Sequence, residues 1–262
     1  MKTIDFLKEH NVNVDQSLEL FGDIDTYNET LVEFQKGIDG KLERIEKFYK
    51  DGDMPNYSIL VHSLKSDCKY FGFMELADLA YQHELESKAS NINFVSANFD
   101  RLMTEAKKVK TIVNAYLNDD VEVPAATVAP AQAPSARGVI LVADDSEVIR
   151  LFVKKIFEAD KDIEVAKDGD EALNVIKSHE ADNRIEAILL DLNMPGSDGF
   201  VVLDYLKNNN LLSKMPVTII SGDSSSDAIN RAFTYEIVDM LNKPFSEQKI
   251  KDAVEKTIAQ KK

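Results

Sequence analysis

The sequence predicts two domains of different fold class: an all-α antiparallel four-helix bundle, then an α/β doubly wound domain with a five-stranded parallel sheet. Three observations support this prediction. Residues 1–118 carry apolar residues at helical spacing only, residues 138–262 alternate short apolar runs with helical patterns, and residues 119–137 are rich in Ala and Pro. With 262 residues the chain is long enough to form two hydrophobic cores.

The composition limits the classes of function. Hydrophobic residues make up 44% and charged residues 29%, and no apolar run approaches the roughly 18 residues of a spanning helix, so we expect no membrane contact. The N-terminus lacks the apolar core of a secretion signal, and the single cysteine, Cys68, fits a reducing compartment, so we expect a cytoplasmic protein. A net charge of −15 opposes binding to phosphate backbones, and we expect no nucleic-acid partner.

Apolar stripes predict the helices of residues 1–118. Their members recur at spacings of three and four, as expected for helices that bury one face. Short turns at 51–56, 71–73 and 90–93 would reverse the chain between neighbouring helices, and a short N-terminal helix would cap the bundle. The stripes are Leu31, Phe34, Ile38, Leu42, Ile45 and Phe48; Tyr57, Leu60 or Val61, Leu64, Cys68 and Phe71; a helix that starts after Gly72; and Phe99, Leu102, Ala106, Val109, Val113 and Tyr116.

Residues 119–137 have no apolar periodicity, and their Ala- and Pro-rich composition predicts an extended linker. Beyond them, short apolar runs bounded by helical patterns predict the strands of a parallel sheet that is covered on both faces. In such folds ligands bind beyond the carboxyl ends of the strands. The predicted strands are residues 139–143, 162–166, 186–190, 217–221 and 237–241.

Polar residues stand at the ends of these strands: Asp144 and Asp145 after the first, Asp191 after the third, Ser221 at the fourth and Lys243 after the fifth. We expect them to meet at one edge of the sheet. Carboxylates about 5 Å apart repel by roughly 3 kcal/mol at an effective dielectric constant near 20, so the cluster calls for a cation or for a raised carboxylate pKa. Oxygen ligands without Cys or His favour Mg²⁺, and a lysine with a hydroxyl suits a phosphoryl group. The set predicts phosphoryl transfer to Asp191; taken singly, the acidic motifs are also common as polar loop junctions.

Residues 138–260 resemble the receiver domain of two-component response regulators. The resemblance is carried by the motifs LVADDSEV, AKDGDEAL, LLDLNMPGSDGF, IISGD and LNKPF. It implies that Asp191 is the phosphoacceptor, that Lys243 and Ser221 contact the phosphoryl group, and that the Lys243–Pro244 bond is cis. It also implies that Mg²⁺ is held by Asp145, Asp191 and the backbone carbonyl of Asn193, with Asp144 nearby. One departure is Met240, where receivers usually carry Tyr or Phe, and this leaves the output surface open.

The helix ILVHSLKSDCKYFG, residues 59–72, holds a histidine among its polar positions. Its helical spacing places His62, Lys65, Ser66 and Lys69 on one stripe beside the apolar face, and we expect that stripe to reach solvent. An exposed neutral imidazole is a competent nucleophile toward a phosphoryl group, and a lysine one turn along can stabilise the incoming oxygens. For this helix alone, a solvated surface histidine is the alternative.

The block HSLKSDCKYFG resembles the signature of histidine phosphotransfer (HPt) domains, and the resemblance covers roughly residues 1–118. It implies that His62 is a second phosphoacceptor, with Lys65 one turn away. The unusual residue is Asp67, whose negative charge near the acceptor is expected to slow transfer or to select partners.

The two resemblances together predict a phosphorelay protein that exchanges a phosphoryl group between Asp191 and His62. No Gly-rich nucleotide-binding motif is present, so we expect a sensor histidine kinase as partner, with another receiver or HPt protein as a further partner. We expect a phosphoryl-transfer intermediate without a DNA-binding output domain. Two alternatives stay open: an adaptor or chemotaxis-type regulator whose helical domain serves docking or dimerisation, and a metal-dependent phosphatase. Transfer within one chain or between chains is equally allowed.

Overall fold

A computed structural model describes residues 2–117, 137–222 and 226–262; the expected linker, apart from Arg137, lies outside these residues. We call residues 2–117 the helical half and the described residues from 137 onward the α/β half. Within the described residues, no helix is both long enough and apolar enough to cross a membrane.

The helical half is all-α, as predicted. Its helices are α1 Ile4–Glu9, α2 Val14–Phe21, α3 Ile24–Asp51, α4 Met54–Phe71, α5 Met74–Lys88 and α6 Ile92–Leu117. The four long helices pack in sequence, and α6 returns to contact α3. Two short helices precede them rather than one. Asn11 separates the two because it adopts the left-handed conformation, with φ of 59°, which asparagine tolerates better than most residues.

Caps set the ends of the helix that carries His62. The Asp53 carboxylate accepts the backbone N–H of Asn56 at 3.2 Å, which satisfies a donor at the start of α4. Gly72 ends α4 with φ of 80° in the left-handed region. A methyl group on Gly72 would lie 2.6 Å from the carbonyl oxygen of Asn13, so the α1–α2 connection also requires a residue without a side chain here.

The α/β half contains one parallel sheet with strand order β2-β1-β3-β4-β5, as expected for a doubly wound fold. Strands β1, β2 and β4 coincide with their predicted ranges, and β3 begins one residue early. β5 lies later than predicted because its pairing with β4 begins at Thr218 with Asp239. The elements are β1 Val139–Ala143, α7 Glu147–Phe157, β2 Asp162–Ala166, α8 Gly169–Ser178, β3 Ile185–Leu190, α9 Gly199–Asn208, β4 Val217–Ser221, α10 Ser226–Ala232, β5 Asp239–Asn242 and α11 Glu247–Ile258.

One apolar cluster runs through both halves, and a second lies within the α/β half. Helix α3 packs against α7, and aromatic side chains interlock across the boundary. The rings of Phe21 and Phe152 meet edge to face at 5.0 Å, and those of Tyr70 and Phe245 at 5.8 Å. The backbone N–H of Phe245 donates to the Tyr70 hydroxyl at 3.1 Å. The helical half also covers the loops after β1 and β4, because Asp67 bonds Ser146 and His62 lies against Gly222.

Candidate functional site

The carboxyl ends of β1 and β3 bring three carboxylates together. Ligand oxygens of Asp144, Asp145 and Asp191 all lie within 4.8 Å of one another. Two of these side chains, Asp144 and Asp191, are fully buried. The backbone N–H of Asp191 donates to the Ala143 carbonyl at 2.8 Å, which continues the strand pairing up to the cluster. The expected convergence of the strand ends is therefore present.

Lys243 supplies positive charge to this cluster. Its Nζ lies 2.6 Å from Asp144 Oδ2 and 2.5 Å from Asp191 Oδ2. Burial alone would lower the pKa of Lys243, but the neighbouring carboxylates raise it above its ordinary value. The N–H of Lys243 donates to the carbonyl of the buried Ser221 at 2.8 Å, and the Lys243–Pro244 bond is cis, as the resemblance implied. The lysine and Ser221 thus sit at adjacent strand ends.

The donor set of the cluster fits a hard divalent cation. Burial, together with repulsion from the neighbouring carboxylates, raises the pKa of Asp144 to about 7 even though Lys243 opposes the rise. Added positive charge would relieve this repulsion. Asn193 lies beside the cluster, and its N–H donates to Asp191 Oδ1 at 3.0 Å. Its buried side-chain nitrogen has no hydrogen-bond partner among the described residues. Carboxylate and carbonyl oxygens are the ligands that Mg²⁺ prefers.

His62 is buried rather than exposed, so the prediction of a solvated stripe is wrong. Its side chain is only 2% exposed, and Lys65 and Ser66 are buried with it, while Lys69 keeps partial exposure. The sequence pattern identified the face of α4 that packs on the other helices of the helical half. It could not show that the α/β half covers the opposite face.

The two ring nitrogens of His62 have different surroundings. Nδ1 lies 2.7 Å from Glu84 Oε1. Nε2 is buried and has no hydrogen-bond partner among the described residues. It faces the loop after β4, where a methyl group on Gly222 would lie only 2.9 Å from it. Because Gly222 follows Ser221 directly, His62 lies at the edge of the sheet that carries the acidic cluster.

Glu84 of α5 organises this histidine, and the sequence motifs did not identify it. It is 3% exposed and accepts hydrogen bonds from Lys65 Nζ at 2.6 Å and Lys88 Nζ at 2.7 Å. Burial alone would raise the pKa of Glu84, but His62 and Lys65 hold it well below its ordinary value. The ionised carboxylate favours hydrogen on Nδ1 and leaves the Nε2 lone pair directed at the α/β half.

Lys65 lies beside His62 and Glu84, one turn along α4 as its spacing predicts. Its Nζ lies 3.2 Å from His62 Nδ1, but the shorter contact is with Glu84 Oε2 at 2.6 Å. Burial lowers the pKa of Lys65, and the carboxylate of Glu84 opposes that change. In this arrangement the ammonium of Lys65 holds the carboxylate that contacts His62.

Comparison with known proteins identifies the α/β half. The family model described as the response regulator receiver domain matches residues 140–255. The chain is 31% identical over 122 residues to the probable methanogenesis regulatory protein FilR2 of Methanothrix harundinacea, which covers 45% of this chain and 79% of that protein. The chain therefore belongs to the response regulator receiver family. Receiver domains act in two-component signalling through phosphorylation of an aspartate.

Further relatives carry other activities. The chain is 39% identical over 110 residues to a protein-glutamate methylesterase/protein-glutamine glutaminase of Caldanaerobacter subterraneus subsp. tengcongensis, over 40% of this chain and 28% of that protein. It therefore spans less than a third of that enzyme. Among solved structures, the receiver domain of the Francisella response regulator 1452 is 33% identical with a TM-score of 0.42, over 47% of this chain and 98% of that one.

Proposed function

We propose that the chain is a phosphorelay protein that exchanges a phosphoryl group between Asp191 and His62. The observation that carries this proposal is the position of His62: Nδ1 bonds Glu84, and Nε2 faces Gly222 and has no partner within the part of the chain that the structure describes. A buried polar atom without a partner costs about 1–3 kcal/mol, and a phosphoryl group on Asp191 would supply a partner for this nitrogen. The resemblance of HSLKSDCKYFG to HPt domains supports the same role.

The proposed exchange starts with phosphate on Asp191. The Nε2 lone pair of His62 attacks the phosphorus atom, an N–P bond forms, and the P–O bond to Asp191 breaks. The electron pair of the broken bond returns to the Asp191 carboxylate. Glu84 keeps the hydrogen of Nδ1 and balances the positive charge that the ring gains. The reverse reaction restores the acyl phosphate and the neutral imidazole.

The surrounding residues would neutralise the phosphoryl oxygens. Asp145, Asp191 and the backbone carbonyl of Asn193 would hold Mg²⁺, with Asp144 nearby; the bound ion supplies charge neutralisation at the phosphoryl oxygens. Lys243 would bind a remaining oxygen as an ammonium, and the hydroxyl of Ser221 would donate to another.

In this role the protein is an intermediate in phosphoryl transfer rather than an enzyme with continuous turnover. A sensor histidine kinase would supply the phosphate, and another receiver or HPt protein would be a further partner. The buried thiol of Cys68 fits a reducing compartment, in agreement with a cytoplasmic location.

Labelling with acetyl phosphate and Mg²⁺ tests the proposal, because phosphohistidine is acid-labile and the aspartyl phosphate is base-labile. We expect label on both residues in the wild type, on Asp191 alone in His62→Gln, and on neither in Asp191→Asn. Wild-type label confined to Asp191 would overturn the exchange and favour an adaptor that acts through protein binding. Steady hydrolysis of a small phosphate ester would instead favour a phosphatase.

A further inference from the structure

Three polar side chains join the two halves beside the acidic cluster, and we call Lys41, Asp67 and Ser146 the interdomain clamp. Asp67 is buried on α4 and bonds the Nζ of Lys41 through one oxygen. Its other oxygen accepts the hydroxyl hydrogen of Ser146 from the α/β half at 2.6 Å. The N–H of Ser146 donates in turn to Asp144 Oδ1 at 2.9 Å. The clamp therefore ends on the acidic cluster itself.

The charges of the clamp match those of the cluster. Lys41 also donates to Ser63 Oγ at 2.9 Å, so its ammonium is held between two side chains of α4. Lys41, Asp67 and Asp145 line one cavity at the boundary between the halves. The helical half thus brings a cation, already paired with Asp67, to the side of the acidic cluster that holds Asp145.

The apolar contacts around the clamp are those of a stable interface. Phe21 and Tyr70 of the helical half are fully buried against Phe152 and Phe245 of the α/β half. Separating the halves would expose these rings to water, and it would leave the ion pair of Asp67 without its hydroxyl donor. Such a surface favours lasting association over a brief encounter.

We infer that the exchange partner of His62 is the α/β half of the same chain, and that the interdomain clamp selects it; this inference rests on the proposed phosphoryl exchange. The two halves belong to one chain, in which residues 118–136 join them. Tethering of this kind corresponds to a local concentration on the order of millimolar, so a second chain at micromolar concentration competes poorly. Asp67 departs from the HPt signature. In this inference its carboxylate recognises the α/β half of the same chain by accepting the hydrogen bond from Ser146.

Mixing two inactive variants tests the choice of partner. With acetyl phosphate and Mg²⁺, label should reach His62 in wild type at a rate that does not depend on protein concentration. A mixture of His62→Gln and Asp191→Asn chains can exchange only between molecules, so at about 1 µM we expect it to be at least about a hundredfold slower. An equal rate in the mixture, or a wild-type rate that rises with concentration, would show exchange with a second copy and overturn the inference.

A cleavable chain tests the clamp without relying on phosphate. A protease site placed within residues 119–137 should leave the halves of wild type paired one to one after cleavage, as measured by native mass spectrometry. Asp67→Ala should weaken this pairing at least about tenfold, because a charge-assisted hydrogen bond is lost. Adding Ser146→Ala should cost little more, since the two residues act on one contact. Asp78→Ala, an exposed position on α5, is the matched control.

The two experiments separate the possible failures. If wild type never labels His62, the proposed exchange is wrong and the choice of partner with it, whereas the cleaved chain still decides whether the clamp holds the halves together. If the cleaved wild-type halves separate, or if Asp67→Ala matches Asp78→Ala, the clamp is not what selects the partner. Far-UV circular dichroism shows that each variant has folded, and acetyl phosphate labelling of Asp191 is a second check for every variant that keeps this aspartate.

Discussion

His62 Nε2 and Gly222 are in close contact across the boundary between the two halves: a methyl group on the glycine would lie 2.9 Å from that nitrogen and 3.3 Å from Ser66 Oγ. Real side-chain carbons essentially never approach other atoms below about 3 Å, so the space that admits the imidazole exists because residue 222 has no side chain. This contact joins the helix that begins at Met54 to the loop that follows Ser221.

Replacing Gly222 by alanine should therefore displace His62. We expect Gly222→Ala to slow transfer from Asp191 to His62 by at least about tenfold, because small misplacements of reacting atoms carry large rate penalties. Labelling of Asp191 by acetyl phosphate should be preserved. The measurement is the time course of acid-labile label. Gly40→Ala is the control, since a methyl group there meets no atom within 4 Å. Equal transfer rates for the two variants would show that the contact with Gly222 does not position His62.

Glu84→Gln should impair both stability and transfer. The variant leaves the buried Lys65 without its carboxylate, and breaking a buried ion pair in this way costs about 3–5 kcal/mol of unfolding free energy. The neutral amide of glutamine also cannot balance the positive charge that the imidazole gains during transfer, so the rate of labelling of His62 should fall. Denaturant unfolding and the labelling time course measure the two effects. Glu75→Gln, in an exposed ion pair with Lys108, should change the unfolding free energy by less than about 1 kcal/mol.

The stability contributed by Glu84 should depend on pH. Its pKa lies below the ordinary value of 4.5, because hydrogen bonds from His62 and Lys65 outweigh the opposing effect of burial. An unfolded chain therefore binds a proton on this group before the folded one does, and stability falls as pH decreases below that value. The difference in unfolding free energy between wild type and Glu84→Gln should be constant near neutral pH and should shrink as pH drops from about 5 to 3. A constant difference over that range would contradict the assignment.

Tyr70→Phe should weaken the contact between the halves without altering the acidic cluster. The variant keeps the ring but removes the hydroxyl that accepts the buried N–H of Phe245. An unsatisfied buried donor costs about 1–3 kcal/mol, so the melting temperature of the full chain should fall. Tyr205→Phe is the control, since its hydroxyl bonds Glu180 at an exposed site and its loss should cost far less. Equal melting temperatures for the two variants would show that the Tyr70 hydroxyl does not contribute.

Much of the α/β half follows from local sequence. Short apolar runs bounded by polar residues located its strands, and the residues at their ends indicated the acidic cluster because parallel strands end at one edge. The displaced β5 is an exception: its start depends on pairing with Thr218, which is distant in sequence. The all-α character of the helical half was equally readable from spacing, while its identity as an HPt domain stays a prediction.

The sequence by itself indicated the candidate side chains: Asp144, Asp145, Asp191, Lys243 and His62 all stand in recognisable local patterns. Only the tertiary structure decided that His62 is buried and that Glu84 bonds Nδ1 of its ring. It also decided that Lys41, Asp67 and Ser146 connect the halves. The physical reason is that a helical pattern reports one buried face. It cannot show that a second, polar face is covered by another part of the chain, because that face is satisfied by charges and hydroxyls rather than by apolar spacing.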